Sequence, residues 1–330
     1  MILRCATRTA VVALWLATAC AAPDAQGAPV AATRELVVRV LDVGQGDAIL
    51  IRNGRSVVLI DGGPNPSRLG QLLDSLGLGH GATIDAVILS HAHADHYGGL
   101  RELFSSRRHL VVRYVWENQD PSANGGLTRL RDSIAARVQT GETIYRDSDD
   151  PCANDAPLCT VTLDGGAKLH VMRPDPSGRN VNDRSTAVKL VGPDSASFTM
   201  WLAGDAERDA IDWFTRAGYD RIPGMHVDVL KADHHGSCNG VTERYLDELQ
   251  PSLVVASLAA RNDYGHMHEQ AKRFYRRHRA AWYRTDQNGT VTLRSSGTSG
   301  GGFSVESEWG YRNMDGPSDR PSTNWICKRL

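Results

Sequence analysis

The 330-residue sequence has no marked excess of either charge, no internal repeat, and no long apolar run beyond residue 22. Its 37 lysine and arginine residues against 38 aspartate and glutamate residues leave a formal net charge of −1, which argues against a generic polyanion-binding surface. A local basic groove is compatible with that balance, so the whole-chain charge leaves the substrate open. With 41% hydrophobic and 23% charged residues, the composition is that of a globular protein with a substantial core.

The first 22 residues have the order of a bacterial export signal: arginines, then an apolar run over residues 11–19, then small residues. The apolar run is too short to span a membrane as part of a mature protein. The segment Leu16-Ala17-Thr18-Ala19-Cys20 resembles a lipoprotein processing site with a lipid on Cys20, and it equally suits an ordinary signal peptidase. We therefore expect an exported protein, either periplasmic or a membrane-anchored lipoprotein, with a linker over residues 23–34.

Export makes disulfides the expected state of the cysteines beyond the signal, because the compartment is oxidising. Cys152 and Cys159 bracket a short polar loop, so a local bridge is their simplest pairing. Cys238 and Cys327 would then form a second bridge that ties the C-terminal segment to a loop. Connectivity does not follow from sequence alone.

Short apolar segments alternate with amphipathic ones over residues 35–295, and strands combined with helices occur in two successive sets. This pattern predicts an α/β fold with two sheets packed face to face and helices outside. A tight hairpin is predicted at Asn53-Gly54. Predicted strands cover residues 36–42, 48–51, 57–60, 84–89, 110–116, 161–163, 168–172, 187–191, 198–202, 227–231, 253–256, 282–284 and 291–293. Predicted helices cover residues 67–76, a segment from about 99, 128–138, 207–217, 242–249 and 269–278.

Two polar stretches interrupt or follow this pattern. Residues 141–157 are polar and rich in aspartate, and we expect a loop or insertion there. Residues 296–330 begin with a run rich in glycine and serine, and we expect a poorly ordered C-terminal tail.

Metal-ligating side chains are concentrated directly after the apolar strand 84–89, where His91, His93, Asp95 and His96 lie within six residues. His91 and His93 can face one metal ion, while Asp95 and His96 turn toward a second. Imidazole and carboxylate donors together suit zinc, manganese or iron rather than calcium. The alternative is a histidine-rich surface loop, which the preceding strand and the aspartate disfavour.

Other apolar strands also end in candidate ligands. Asp205 follows strand 198–202 and could bridge two metals, although an aspartate there equally suits a helix N-cap. His234 follows strand 227–231 and offers a further imidazole, with His235 as an additional candidate. Asp61, at the end of strand 57–60, could orient the ligands through hydrogen bonds.

Six motifs occur in a fixed order along the chain: Leu41-Asp42-Val43-Gly44-Gln45-Gly46-Asp47, Leu59-Ile60-Asp61-Gly62-Gly63, Leu89-Ser90-His91-Ala92-His93-Ala94-Asp95-His96-Tyr97-Gly98-Gly99, Gly204-Asp205, His234-His235-Gly236-Ser237 and Tyr264-Gly265-His266. Together they resemble the metallo-β-lactamase-fold domain at the C-terminus of ComEC-type DNA-uptake proteins. The histidine cluster alone marks only the superfamily. The first and fifth motifs narrow the resemblance to the ComEC-like branch, which is also similar to secreted phosphorylcholine esterases.

This resemblance covers roughly residues 35–295 and implies a four-layer αββα metallo-β-lactamase fold with two mixed sheets. It also implies two divalent metal ions, Zn or Mn. The first would be held by His91, His93 and Asp205, and the second by Asp95, His96, Asp205 and His234. His266 would stabilise developing charge or protonate the leaving group, and Asp95 and Asp61 complete the expected catalytic set.

The sequence departs from the family pattern at two points. Many superfamily members carry a further histidine ligand before the bridging aspartate, and His109 and His170 are poor candidates for it. The ComEC-like pattern has Asn-x-x-Ser there, matched by 182–185, so an oxygen of Asn182 either approaches the first metal or caps a turn. No apolar segment beyond residue 22 is long enough to form that family's membrane channel, so the channel is not expected in this chain.

A basic run over residues 272–279 follows the last motif. It is either a patch that tracks phosphates, with aromatic side chains for bases, or a solvated helix face with Phe274 buried. The second interpretation is the commoner case for such runs.

We expect an exported metal-dependent phosphodiesterase, and within that class a nuclease acting on DNA. A phosphorylcholine esterase and a β-lactamase-like hydrolase remain alternatives, because the fold does not decide the substrate. A noncatalytic metal-binding envelope protein is the alternative from another class. Membrane association is expected only through a lipid anchor.

Overall fold

The computed structural model describes residues 34–106, 108–121, 125–154, 156–195 and 197–310, which form two mixed β-sheets with helices. The predictions of an export signal, of a lipid on Cys20 and of a bridge to Cys327 lie outside these residues. No helix among the described residues is long and apolar enough to cross a membrane.

The first sheet has eight strands, antiparallel on one side and parallel on the other. Its strands are β1 (Leu36–Val40), β2 (Ile49–Asn53), β3 (Ser56–Ile60), β4 (Thr83–Ile88), β5 (Val111–Glu117), β6 (Ile144–Asp147), β14 (Val291–Ser295) and β15 (Phe303–Ser307). They lie in the order β15-β14-β1-β2-β3-β4-β5-β6. The predicted hairpin is confirmed, since Asn53 pairs with Ser56 across the turn between β2 and β3.

The second sheet has seven strands and is also mixed. Its strands are β7 (Leu158–Thr162), β8 (Lys168–Met172), β9 (Ala187–Val191), β10 (Thr199–Leu202), β11 (Val229–Lys231), β12 (Leu253–Ala256) and β13 (Ala281–Arg284). They lie in the order β13-β12-β11-β10-β9-β8-β7, with the strands from β10 to β13 parallel.

The α-helices are α1 (Pro66–Ser75), α2 (Ala94–Tyr97), α3 (Gly125–Gln139), α4 (Arg208–Arg216), α5 (Glu243–Leu249), α6 (Glu269–Arg277) and α7 (Thr285–Asn288). Short 3-10 turns at Gly99–Glu102, Asn182–Arg184 and Asp233–Gly236 add to them, and Asp220–Gly224 forms a π-helical turn.

Alternating side chains along the strands divide the apolar residues among three cores. Val58 and Ile60 of β3 belong to a core shared with residues of the second sheet, whereas Leu59 points to a core shared with α1 and α3. On β10, Met200 joins the core between the sheets and Trp201 joins a core shared with α4, α5 and α6. Side chains of successive strand residues point to opposite faces, so each sheet buries both faces. The resulting order is helices, sheet, sheet, helices, which confirms the predicted four-layer fold.

Two segments expected to lack regular structure contribute strands. Within the predicted loop 141–157, the chain forms β6, an edge strand parallel to β5. Beyond residue 295, where the tail was expected to begin, β15 pairs antiparallel with β14 and extends the first sheet. The expectation of a poorly ordered tail is therefore wrong for Phe303–Ser307, because backbone pairing with β14 and not local composition fixes that segment.

The predicted local disulfide is confirmed. Cys152 and Cys159 are bridged, with Cα atoms 5.1 Å apart. Cys238 is also disulfide-bonded, and its predicted partner Cys327 lies outside the described residues.

Candidate metal centre

The candidate site lies where the carboxyl ends of parallel strands from both sheets meet. Asp61 directly follows β3 and His91 comes shortly after β4 in the first sheet. Asp205 and His235 come shortly after β10 and β11 in the second. In open sheets the carboxyl ends of parallel strands form the usual place for ligands, and here two such ends face each other.

One group of candidate ligands consists of His91, His93 and Asp205, whose ligand atoms all lie within 4.8 Å of one another. His91 Nε2 is 3.1 Å from His93 Nδ1 and 3.9 Å from Asp205 Oδ2. His93 is still extended, with φ −91° and ψ 148°, because helix α2 begins only at Ala94. The extended backbone puts alternate residues on one side, so the two imidazoles can meet.

A second group consists of Asp95, His96, Asp205 and His235. Asp205 Oδ1 lies 3.2 Å from His96 Nε2, and Asp205 Oδ2 lies 3.3 Å from His235 Nε2. Asp95 Oδ2 is 3.3 Å from the same nitrogen of His235. Asp205 belongs to both groups, so its carboxylate could contribute to holding an ion in each.

His235, and not His234, completes the second group. His234 Nδ1 instead lies 3.2 Å from Glu207 Oε1, and His234 Nε2 stays 3.9 Å from Asp205 Oδ2. Both histidines have left-handed backbone conformations, with φ of 47° and 55°. Such a turn separates the two imidazoles in a way that strand alternation does not anticipate, because alternation holds only for extended backbone.

The donor atoms of this site fit a cation. His96 Nε2, His235 Nε2 and Asp205 Oδ1 are buried without a hydrogen-bond partner among the described residues. Buried polar atoms in native proteins are almost always satisfied, and these point toward one another. Imidazole and carboxylate donors in such a set suit a divalent ion such as zinc or manganese.

The His96 ring is fixed from behind by Asp61, as predicted for an orienting carboxylate. Asp61 Oδ2 lies 2.8 Å from His96 Nδ1 and accepts a 2.7 Å hydrogen bond from Ser90 Oγ. The backbone N–H of Ser90 donates to Asp61 Oδ1 at 2.8 Å. With Nδ1–H donating to the carboxylate, Nε2 is directed toward the centre of the site, where a metal ion would take the place of its proton.

His235 has an equivalent support that the sequence analysis missed. Asp47 Oδ1 lies 3.3 Å from His235 Nδ1, and Asp47 Oδ2 is 2.7 Å from Lys231 Nζ. The carbonyl of Ser257 also lies 2.9 Å from His235 Nδ1. All three charged residues are buried. The sequence has two features from which this pair could have been suspected. Asp47 is the last residue of the first motif, and Lys231 is the last residue of an apolar strand.

The residues of the site shift one another's pKa values. Burial opposes ionisation of Asp205, but the imidazoles of His235 and His96 lower the pKa of its carboxyl well below the usual value. Burial likewise disfavours the charged form of His96, yet the carboxylates of Asp205 and Asp61 raise its pKa well above the ordinary value. Asp205 therefore remains an anion that a cation can bind.

His266 lies beside these groups as an uncharged imidazole. Burial, together with the neighbouring His235 and His234, lowers the pKa of His266 to about 2. Its backbone is held by Asn262, whose Oδ1 accepts from the N–H of His266 at 2.8 Å and whose Nδ2 donates to its carbonyl at 2.7 Å. The Tyr264 ring stacks on the His266 ring, with centroids 5.4 Å apart.

Asn182 lines the same cavity, which has a volume of about 560 Å³. Its Nδ2 donates to Glu207 Oε1 at 2.8 Å, while its Oδ1 is buried without a partner among the described residues. The amide oxygen is thus available to a ligand in the cavity. His170 instead lies 2.9 Å from the hydroxyl of Thr160 on the neighbouring strand, away from both groups.

Helix α6 carries the basic run, and its charges are largely occupied by neighbours. Lys272 and Arg276 both contact Glu269, and Arg277 contacts Glu243. Phe274 is partly buried against a core. This arrangement fits the solvated helix face and gives no row of unpaired cations for phosphates.

Comparison with known proteins agrees with the fold and the motifs. Residues 41–178 match the family described as the metallo-beta-lactamase superfamily. ComE operon protein 3 of Bacillus subtilis (strain 168) is 27% identical over 280 residues, which cover 78% of this chain and 33% of that protein. Competence protein ComA of Neisseria gonorrhoeae is 23% identical over 264 residues, covering 78% and 32%. The chain thus spans about a third of the length of these relatives.

Among solved structures, the metallo-beta-lactamase fold protein YhfI from Bacillus subtilis is 16% identical. It covers 76% of this chain and 95% of its own, with a TM-score of 0.47.

Proposed function

We propose that this chain, which has the metallo-β-lactamase fold and is similar to competence proteins over 78% of its length, is a metal-dependent phosphodiesterase and, within that class, a nuclease acting on DNA. We further propose that it is exported through its N-terminal segment and acts in the periplasm, free or held by a lipid on Cys20.

The position of Asp205 carries the proposal, because it belongs to both candidate groups. One ion would be held by His91, His93 and Asp205, and the other by Asp95, His96, Asp205 and His235. A pair of divalent ions, Zn or Mn, would activate a water at neutral pH and would stabilise charge on the oxygens of a displacement at phosphorus.

The remaining residues of the site have roles set by their contacts. Asp61 orients His96 through its Nδ1 atom, and the carbonyl of Ser257, with the charge of Asp47 beside it, does the same for His235. His266 is neutral and lines the cavity, so its ring N–H can donate to an oxygen that becomes negative as the leaving group departs. Asp61, Asp47 and His266 thus position ligands or stabilise charge.

An activity screen tests the proposal. Purified protein supplied with manganese or zinc should cleave single-stranded DNA, and Asp205→Asn should reduce the rate by more than the roughly 10- to 100-fold that loss of an outer ligand partner costs. Asp247→Asn, on the exposed face of α5, is the matched control and should leave the rate unchanged.

A choline phosphodiester and nitrocefin belong in the same screen. If the protein hydrolyses the choline diester and leaves DNA intact, the assignment as a nuclease is wrong and a phosphorylcholine esterase is favoured. If it hydrolyses nitrocefin alone, a β-lactamase-like hydrolase is favoured. Bound metal with no turnover of any of these substrates would favour the noncatalytic metal-binding protein.

A further inference from the structure

The cavity that contains the candidate metal groups continues into a second cavity of about 770 Å³. The two cavities share five lining residues: Gln45, Ala94, Asp95, Asp263 and Tyr264. They therefore form one trough with the metal groups at one end. A phosphodiester whose phosphorus lies at those groups can place one of its two substituents along the trough.

Tyr264 stands at the junction of the two cavities. Its side chain is 62% exposed, although one face of the ring stacks on His266 at an interplanar angle of 23°. Asn262 fixes the backbone of His266 by accepting from its N–H and donating to its carbonyl. The tyrosine ring is thus both accessible and packed against a held neighbour, which limits the entropy lost when a ligand binds it.

The trough beyond Tyr264 is lined by two arginines as well as by the carboxylates of Asp42, Asp95 and Asp263. Arg68 and Arg261 line the second cavity. Arg261 is exposed and forms no ion pair with any residue in the described part of the chain. Arg68 donates to the carbonyl and carboxylate of Asp42 and remains 41% exposed. Guanidinium groups are well suited to phosphate oxygens, which they can bind with two parallel hydrogen bonds.

We propose that Tyr264 is the stacking platform for a nucleobase next to the scissile phosphate of a single-stranded nucleic acid, and that Arg68 and Arg261 bind the phosphates that follow. The proposal rests on the phosphodiesterase function proposed above and specifies its substrate. The order along the trough is metal groups, aromatic ring, guanidinium groups, which matches the order phosphate, base, phosphate along a strand. Aromatic stacking of bases beside a cationic groove is the general mode of single-strand binding.

A choline headgroup is the competing occupant of an exposed aromatic ring, and the trough suits it less well. Quaternary ammonium groups are recognised by cages of several aromatic side chains. Apart from histidines, Tyr264 is the one aromatic residue among the described residues that line either cavity.

Ligand binding tests the platform without any turnover. Calorimetry in zinc-containing buffer compares thymidine 5′-monophosphate with deoxyribose 5-phosphate, which differ only in the base. The wild type should prefer the nucleotide by roughly 5- to 150-fold, the range expected for one stacked base. Tyr264→Ala should lose that preference and keep its affinity for deoxyribose 5-phosphate, whereas Tyr264→Phe should keep both. Tyr114→Ala removes an exposed tyrosine that lines neither cavity and should resemble the wild type.

Equal binding of the two ligands by the wild type, or binding of neither, would overturn the platform. So would an equal loss of affinity for both ligands in Tyr264→Ala, or an effect of that variant on phosphorylcholine alone. Cleavage of oligothymidylate and of the same strand with abasic positions gives a second measurement, in which Tyr264→Ala should impair only the first. If the wild type cleaves no phosphodiester, the proposed function fails, while the calorimetric comparison still decides whether Tyr264 binds a base.

Discussion

Two adjacent histidines of this protein face different carboxylates. His235 is enclosed by Asp205, Asp95 and Asp47, while His234 turns its Nδ1 to Glu207. The exposed fraction of the side chain is 1% for His235 and 21% for His234. Both ring nitrogens of His235 lie 3.3 Å from carboxylate oxygens, whereas Nε2 of His234 stays 3.9 Å from Asp205, so the two residues are not interchangeable.

Single substitutions should separate these two roles. We expect His235→Ala to lose most of its affinity for one divalent ion, because the second group then keeps only Asp95, His96 and Asp205. We expect His234→Ala to retain two ions, since its imidazole lies outside both groups. Competition with a chromogenic zinc chelator measures both affinities.

As a control, circular dichroism of the two variants without metal should show that both retain the wild-type fold. Equal loss of one ion from both variants, with the fold intact, would show that His234 is also a ligand and contradict the assignment.

The ligand-bearing segment around α2 is clamped against the turn after β3. The N–H of Gly62 donates to the carbonyl of His96 at 2.7 Å, and the N–H of Gly99 donates to the carbonyl of Gly63 at the same distance. A Cβ atom on Gly99 would lie 1.9 Å from the Gly62 carbonyl oxygen. The Gly62 carbonyl is a backbone group. The Gly62 and Gly99 segments therefore cannot move apart without displacing the candidate metal ligands that they carry.

Gly99→Ala should therefore destabilise the protein. Overpacking of a closed site typically costs about 1–3 kcal/mol, and displacement of the two segments should also weaken metal binding. The free energy of unfolding in urea, measured without metal, gives the first effect. Gly125→Ala at the start of α3 is the matched control, since a Cβ there meets only the end of Arg129 at 3.6 Å. A Gly99→Ala variant as stable as Gly125→Ala would refute the clamp.

At the level of elements, periodicity predicted most of the fold because burial on both faces leaves a clear apolar signal. Strands β8, β9 and β12 have the bounds that the sequence predicts. β6 was missed because Ile144–Asp147 is a short edge strand whose residues are partly or largely exposed. β15 was missed because it follows a run of glycine and serine and alternates without a buried residue.

The site was predictable as far as residues at strand ends could be recognised. His91, His93, Asp95, His96 and Asp205 are singled out by the sequence and are brought together by the structure. The choice between His234 and His235 depended on a left-handed turn, which no periodicity reveals. The Asp47–Lys231 pair depends on a contact between distant segments, so the motif alone could not assign it.

At the scale of the whole molecule, the candidate ligands come from both sheets. His91, His93, Asp95 and His96 follow the first sheet, and Asp205 and His235 follow the second. An ion bound by both sets would be absent from the unfolded chain, so it would stabilise the folded state by mass action.

Removal of metal should therefore lower the thermal stability. At a free metal concentration one hundred times the dissociation constant, the expected gain is about 2.7 kcal/mol. For a protein of this size that corresponds to a rise in Tm of several degrees, measured by scanning calorimetry with zinc and with a chelator. Asp205→Asn should show a much smaller rise, because it weakens both groups. An identical Tm for the wild type with and without metal would count against a site that joins the sheets.

The distribution of ligands over the two sheets also sets an order of events in time. Asp205 and His235 are synthesised long after His91, and they reach it only when the second sheet has formed and packed on the first. The complete site therefore exists only once the two sheets have packed on each other. The place where the folded chain first meets its metal would then decide where activity begins.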